Sequence, residues 1–279
     1  MTFPLILLLT DYGTEDLYVG EVRLAIHRVA SDARVVDLTH DVQPRQIAQG
    51  AFLLWSLHDR LPEEAVVCAV VDPGVGTSRA MLAVRRGDGP TYVAPDNGLL
   101  GFLREDFPDC PQRTEEWEAV RLERKEWWGP RVSTTFHGRD IMAPVAAALA
   151  QGTLLSAVGA EHAQPPQACA ELWPDTSRLD ESSPRIEGRV LHVDRFGNAV
   201  VNVPARLLEQ GRDWRLRFDG AEAELAGPRE TFADVPAGET LWYVGSSSFV
   251  EIAVNQGSAC QRHGLAFCQR ISLTVAATR

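Results

Sequence analysis

Asp72 and Arg79 stand seven residues apart around a glycine-rich turn, VDPGVGTSR. Glycines in such a turn let a ligand approach the backbone closely. An arginine folded back over the carboxylate would fix its direction. That arrangement can hold and activate a small nucleophile. It can equally be a turn closed by a surface ion pair, which is worth little. The turn lacks the GK[ST] of a phosphate-binding loop. His137 lies in TTFHGRD, between an aromatic and a glycine. An imidazole there can orient a water or relay a proton near neutral pH, or be a structural histidine. Asp140 behind it suits a helix N-cap, with Arg139 as its neighbour. Asp11, in TDYG, can accept both hydroxyls of a ribose, as the acidic residue of a dinucleotide fold does. It can also cap a turn, and no GxGxxG accompanies it. His40, in THDV, has the weakest claim and is left out of the candidate site.

Two further clusters lie near the C-terminus. Asp194-Arg195-Phe196-Gly197-Asn198 offers a carboxylate for an ammonium, an aromatic face for a flat ring and an amide for hydrogen bonds. A hairpin turn is the alternative. Ser246-Ser247-Ser248 precedes the run Phe249–Val254 and then Asn255 and Gln256. Its hydroxyls can hold a carboxylate or form a polar turn. Spacing alone does not bring Asp72, His137 and Asp194 together.

The elements that must position these residues are legible from periodicity. Leu5–Leu9, Val35–Leu38, Ala65–Val71, Met81–Val84 and Tyr92–Ala94 read as strands. Helical spacing runs from Tyr18 to Val29, from Ile47 to Leu57 and over Ile141–Ala150. Alternating strands and helices predict an α/β N-terminal domain with a largely parallel sheet. Ligands of such sheets bind at the carboxyl ends of the strands. Asp11, His40, Asp72 and Asn97 each fall just past a predicted strand. Composition shifts between Glu161 and Pro184, where four prolines mix with Ser, Asp and Glu. Beyond it, Arg189–Val193, Ala199–Val203, Trp214–Phe218, Ala221–Leu225, Leu241–Val244, Val250–Val254 and Ile271–Val275 are short strand candidates. They predict a smaller, antiparallel β-barrel-like domain. The expected boundaries are 1–165, a linker over 166–184, and 185–279.

The 279 residues are 45% hydrophobic and 23% charged, an ordinary globular balance. The net charge of -11 argues against a general nucleic-acid binder, which needs a positive field. Of 27 basic residues only Lys125 is a lysine, a bias that genome composition can explain. No apolar run approaches the roughly 20 residues of a membrane span, and the N-terminus reads as a buried strand rather than a signal peptide. Cys68, Cys110, Cys169, Cys260 and Cys268 are scattered and odd in number, without CxxC. Free thiols in a cytoplasmic protein are expected, and no metal site.

The ordered set TDYG, THDV, VVDPGVGTSR, APDNGLL, TFHGRD, VDRFGNAVVN and SSSFVEIAVNQGSA closely resembles the S-adenosyl-L-methionine hydrolase family. Its members are also called S-adenosylmethionine hydroxide adenosyltransferases and are relatives of the bacterial fluorinase and chlorinase. The resemblance runs from about Leu5 to Leu273. Any one motif is unspecific; seven in one order are not. It implies a homotrimer with sites at subunit interfaces, and water attacking C5′ of S-adenosyl-L-methionine to give adenosine and L-methionine. S-adenosyl-L-methionine is then the substrate, with no separate cofactor. The resemblance implies a catalytic triad of Asp72, Arg79 and His137, with Asp11 on the ribose. Asp194 with Ser246 or Ser247 would hold the methionine end. Phe196, Asn198, Val254, Asn255 and Gln256 would hold the adenine side. Asn97 completes the expected substrate-binding set.

A halogenase of the same superfamily and a non-catalytic adenosine-binding module are the alternatives. The halogenases resemble a tyrosine at the position of Asp72, and a carboxylate there repels a halide and suits water. No surplus loop like the halogenases' insertion is evident between Tyr92 and Phe136. Two departures stand out. Arg45 lies where the halogenases place an aromatic residue near the sugar. Gly245-Ser246-Ser247-Ser248 replaces the family's more usual Asn-Ser-Ser-Gly.

Overall fold

The structure is a computed structural model that describes residues 4–108, 117–179, 182–221 and 223–276. The chain divides into two compact units, Met1–Cys169 and Ala170–Arg279.

In the first unit the apolar runs become strands buried on both faces, as the centre of an α/β sheet requires. The elements are β1 (Leu5–Thr10), α1 (Tyr18–Val29), β2 (Arg34–Thr39), α2 (Ile47–Leu57), β3 (Val66–Val70), β4 (Met81–Arg86), β5 (Thr91–Pro95), β6 (Trp117–Arg121), α3 (Ala143–Ala150), α4 (Leu155–Val158) and β7 (Ala160–Glu161). The sheet order is β2-β1-β3-β5-β4-β6-β7. The first four strands of this order pair parallel, whereas β4, β6 and β7 each pair antiparallel with the strand before them. The expected parallel sheet is thus present with an antiparallel edge. Helix α1 turns Val19, Val22, Ala25 and Ile26 to the core. Helix α2 is buried on most of its surface, which suits its near-continuous apolar sequence.

Register decides where the polar loops emerge. Thr10 pairs with Val70 across β1 and β3. Asp11 and Asp72 therefore leave the sheet from neighbouring parallel strands, at the same carboxyl end.

The helix expected over Ile141–Ala150 begins earlier and differently. Gly138–Met142 forms a π-type turn, and α3 continues it. Pro144 has no N–H to give the Asp140 carbonyl, so the regular α bond cannot form there. The backbone N–H of Gly129 donates to that carbonyl instead, at 2.7 Å. Asp140 consequently lies inside the turn, and the residue preceding the turn is His137. This corrects the expected N-cap role of Asp140.

The second unit contains β8 (Asp175–Arg178), β9 (Arg185–Val193), β10 (Ala199–Pro204), β11 (Trp214–Phe218), β12 (Leu225–Gly227), β13 (Thr240–Val244), β14 (Phe249–Val254), α5 (Ala259–His263) and β15 (Arg270–Val275). The sheet is antiparallel in the order β12-β11-β15-β9-β10-β14-β13, with β8 added beside β9. Its two ends nearly close into a barrel. The Arg229 N–H donates to the Trp242 carbonyl at 2.9 Å, and Trp242 Nε1 donates to the Leu225 carbonyl at 2.9 Å. Trp214 and Trp242 fill the interior with Ile186, Val201, Ile252 and Leu273. The strand expected at Ala221–Leu225 is found at Leu225–Gly227, with Glu222 outside the described residues. Trp214 pairs with Gly227 and Leu216 with Leu225, so β12 starts only at Leu225.

Among the described residues no helix is long and apolar enough to cross a membrane. Cys68, Cys260 and Cys268 are free thiols; Cys110 lies outside the described residues.

Candidate active site

Three of the sequence-predicted residues meet in the first unit. Asp72 follows β3, and Arg79 returns from the far side of the glycine turn. Arg79 Nε donates to Asp72 Oδ1 at 2.7 Å, and Nη2 donates to Oδ2. The two side chains are only 8% and 5% exposed, which removes the surface ion-pair alternative. Gly76 makes this loop possible. It holds φ +82°, and a Cβ there would sit 2.6 Å from the Thr134 carbonyl oxygen. The loop therefore lies directly against the segment leading to His137. Arg79 Nη2 reaches His137 Nδ1 at 3.3 Å. A guanidinium donating to Nδ1 leaves the neutral imidazole's own proton on Nε2. Burial, and then the Arg79 charge, push the His137 pKa below its usual value. Arg79 Nη1 is buried without an acceptor among the described residues.

Asp11 is half-buried at the end of β1. Its Oδ2 accepts the backbone N–H of Arg45 at 2.8 Å. Burial raises its pKa. Arg45 adopts φ +70°, costly for a residue with a side chain. The backbone of Arg45, not its side chain, thus fixes the Asp11 carboxylate. A carboxylate has about four lone-pair sites, so capacity remains for a pair of vicinal hydroxyls. Asn97 donates to the Val71 carbonyl at 2.9 Å and accepts from the Leu99 N–H at 3.2 Å. Its amide clamps the residue before Asp72. His40 is buried and bonded to Thr10 Oγ1 at 2.8 Å, consistent with a structural histidine.

Arg139 and Asp140 form a brace beside the triad. Arg139 Nε donates to Asp140 Oδ1 at 2.6 Å, and Nη1 to Glu21 Oε2 at 2.5 Å. The guanidinium also lies 4.6 Å from the Phe136 ring centre. Asp11, Tyr12, Phe136 and Arg139 border a cavity of about 470 Å³.

The second unit groups the other predicted residues. Phe196, Asn198 and the stretch Val254–Gly257 line one groove of about 560 Å³, together with Phe232. Phe196 is 77% exposed, an aromatic ring held out from the surface. The Asp194 carboxylate organises the turn that presents it. It accepts from the N–H groups of Phe196 and Asn198 and from Asn198 Nδ2, at 2.8–2.9 Å. Gln256 sits at φ +58°, and Asn255 Nδ2 donates to the Val235 carbonyl at 2.8 Å. Ser246 and Ser247 form the tight turn between β13 and β14, at the opposite end of β14 from the groove. Ser248 takes φ +63° there, the position at which the more usual family pattern has glycine.

Three site-adjacent residues have no role legible in the sequence. Tyr12 stands out there only as the neighbour of Asp11. Phe232 comes from a distant loop and has no local signal. Glu251 interrupts the apolar run of β14. Its Oε2 accepts from the Tyr243 hydroxyl at 2.5 Å. Burial raises its pKa, and the Asp194 charge adds to that.

Comparison with known proteins bears on this arrangement. Residues 6–159 match the SAM hydroxide adenosyltransferase N-terminal domain, and residues 188–272 match the corresponding C-terminal domain. The chain is 40% identical over 261 residues to an (R)-S-adenosyl-L-methionine hydrolase from Thermus thermophilus, covering 92% of this chain and 94% of that one. It is 38% identical to the protein of the same name from Salinispora tropica, covering 97% and 98%. A fluorinase from Actinopolyspora mzabensis is a more distant relative, at 26% identity over 94% of each chain. The crystal structure of an uncharacterized conserved protein from Thermotoga maritima superposes with a TM-score of 0.83 at 32% identity, covering 96% and 99%. Both halves of the chain thus match the same two-domain family in order, and the chain belongs to the SAM hydroxide adenosyltransferase family.

Proposed function

We propose that this chain hydrolyses S-adenosyl-L-methionine to adenosine and L-methionine, with water attacking C5′. The observation that carries this reading is the buried Asp72–Arg79 pair with His137 in reach of Arg79, in a chain of this family. The relatives' name specifies the (R) form at sulfur, and that form is the substrate assigned here. A C5′–O bond forms as the C5′–S bond breaks. The sulfur leaves as a neutral thioether, so no acid is needed to protonate it. One proton is released from the water, by way of its hydrogen bond to Asp72. The protein's task is to place the nucleophile in line with the breaking bond and to shed bulk water.

Asp72 accepts a hydrogen bond from the attacking water. Arg79 engages both Asp72 oxygens and so fixes the direction of the remaining lone pairs. His137 presents Nε2–H and completes the water's orientation. Asp11 takes the ribose hydroxyls. In the second unit, Phe196, Asn198 and Val254–Gln256 receive the adenine, and Asp194 with the Ser246-Ser247 turn receives the methionine end. The assembly is a homotrimer in this reading, and the compartment is the cytoplasm.

Turnover in oxygen-18 water tests the reaction and the nucleophile together. Label is expected in the 5′-hydroxyl of adenosine. With chloride added, release of 5′-chloro-5′-deoxyadenosine would establish a halogenase instead. Adenosine binding with S-adenosyl-L-methionine left intact would establish a binding module.

The His137 shift predicts a pH dependence. The working form is neutral, and its pKa lies below 6.5. The acid midpoint of kcat should therefore lie below pH 6.5, with more than half of the plateau rate retained at pH 6.5. A pH–rate profile with its acid midpoint at or above 6.5 contradicts this role.

A further inference from the structure

We infer that the Tyr12 hydroxyl is an additional water-positioning group of this hydrolytic site, an inference that rests on the reading just given. Tyr12 follows Asp11 at the end of β1. Its ring stands edge-on to Phe136, with centres 5.5 Å apart, and tilted against Tyr18 at 5.9 Å. Tyr18 and Phe136 themselves meet edge-on at 5.3 Å. The Tyr12 backbone N–H donates to Thr10 Oγ1 at 3.2 Å. Ring and backbone are therefore both held, and the hydroxyl has a defined address.

That address is Gly138, the residue immediately after His137. A Cβ built on Gly138 would lie 2.3 Å from the Tyr12 oxygen. Only a glycine at 138 lets the phenol come this close. Tyr12 is partly buried, and a tyrosine hydroxyl at such a site ordinarily finds a partner in the protein or in water. Among the described residues the Tyr12 hydroxyl has none. Arg79 Nη1, on the other partner of His137, likewise has no acceptor among them. Two held donors, each adjoining His137, thus have no protein oxygen to meet.

The surroundings keep the phenol in the form this role needs. Burial raises its pKa far above the ordinary value, and the Asp11 and Asp72 carboxylates raise it further against the pull of Arg79. Tyr12 remains a neutral O–H, able to donate to or accept from a water. It takes no proton in the reaction; the proton of the attacking water still leaves by way of Asp72. Its contribution is to restrict the water to the orientation from which it attacks C5′.

Tyr12→Phe is the direct test, because it keeps the ring contacts and removes one oxygen. With S-adenosyl-L-methionine as substrate, kcat is expected to fall about 10- to 100-fold, the scale of a misplaced reacting group. KM should stay within about twofold, and the melting temperature should be unchanged. An unchanged kcat overturns the inference. So does a loss carried wholly by KM, which would make Tyr12 a substrate-holding residue. So does a lower melting temperature with activity lost only in proportion to unfolded protein. If the unaltered protein releases no adenosine and methionine, the hydrolase reading itself fails and this inference goes with it. If it does and Tyr12→Phe matches it, only the inference fails.

Discussion

Asp72→Ala is expected to lower kcat about 10²- to 10⁴-fold, the range of a lost acid–base or water-orienting group. KM for S-adenosyl-L-methionine should change far less, because the proposed contact is made to the attacking water and not to the substrate. Steady-state kinetics on purified protein decide this, and a near-normal kcat removes Asp72 from the mechanism. The truncation also strands the Arg79 guanidinium, whose side chain is almost wholly buried. Breaking a buried pair this way costs about 3–5 kcal/mol of stability. Asp72→Asn should therefore be measured beside it. The amide still accepts one hydrogen bond from Arg79, so folding is better preserved while the anionic acceptor is lost. Both variants should lose kcat; only the alanine should lose much of its melting temperature.

Asp11→Ala should show the opposite kinetic pattern. A carboxylate hydrogen-bonded to a ligand contributes about 1.5–3 kcal/mol, so KM should rise roughly 10- to 150-fold. The affinity for adenosine, read by calorimetry, should fall by the same factor. Unchanged adenosine affinity refutes the ribose role. The direction of the Asp11 pKa adds a pH signature. Burial raises it above 3.8, so the carboxylate is protonated, and its acceptor role weakened, earlier on acidification than for a free aspartate. In the unaltered protein, adenosine affinity should decline as pH falls through that raised value. In Asp11→Ala that acid limb should vanish.

Much of this site is legible in the chain without coordinates. Asp11, Asp72, Arg79 and His137 stand out because strand ends and glycine turns leave local marks that survive in a linear sequence. The same holds for Phe196, Asn198 and Val254–Gln256, which flank strands and turn up in one groove. Three features have no such mark. The π-type turn after His137 depends on Gly129 reaching across to a carbonyl that Pro144 cannot bond. Phe232 enters the groove from a loop remote in sequence from every other lining residue, so only the fold brings it there. Tyr12 acquires its meaning only because residue 138, far along the chain, lacks a Cβ.

Which side chains are available, and the local elements that carry them, are properties of the linear chain. Apolar runs of strand length and helical spacing are enforced by nearest-neighbour stereochemistry, and the order of motifs is a property of the chain alone. It takes the fold to turn Arg79 back onto Asp72 rather than toward solvent, to bring it to His137 58 residues away, and to bury the Asp72–Arg79 pair. Those outcomes depend on register between β1 and β3 and on close packing of loops. Contacts between residues distant in sequence are set by three-dimensional exclusion of volume and burial of charge, which no spacing along the chain encodes.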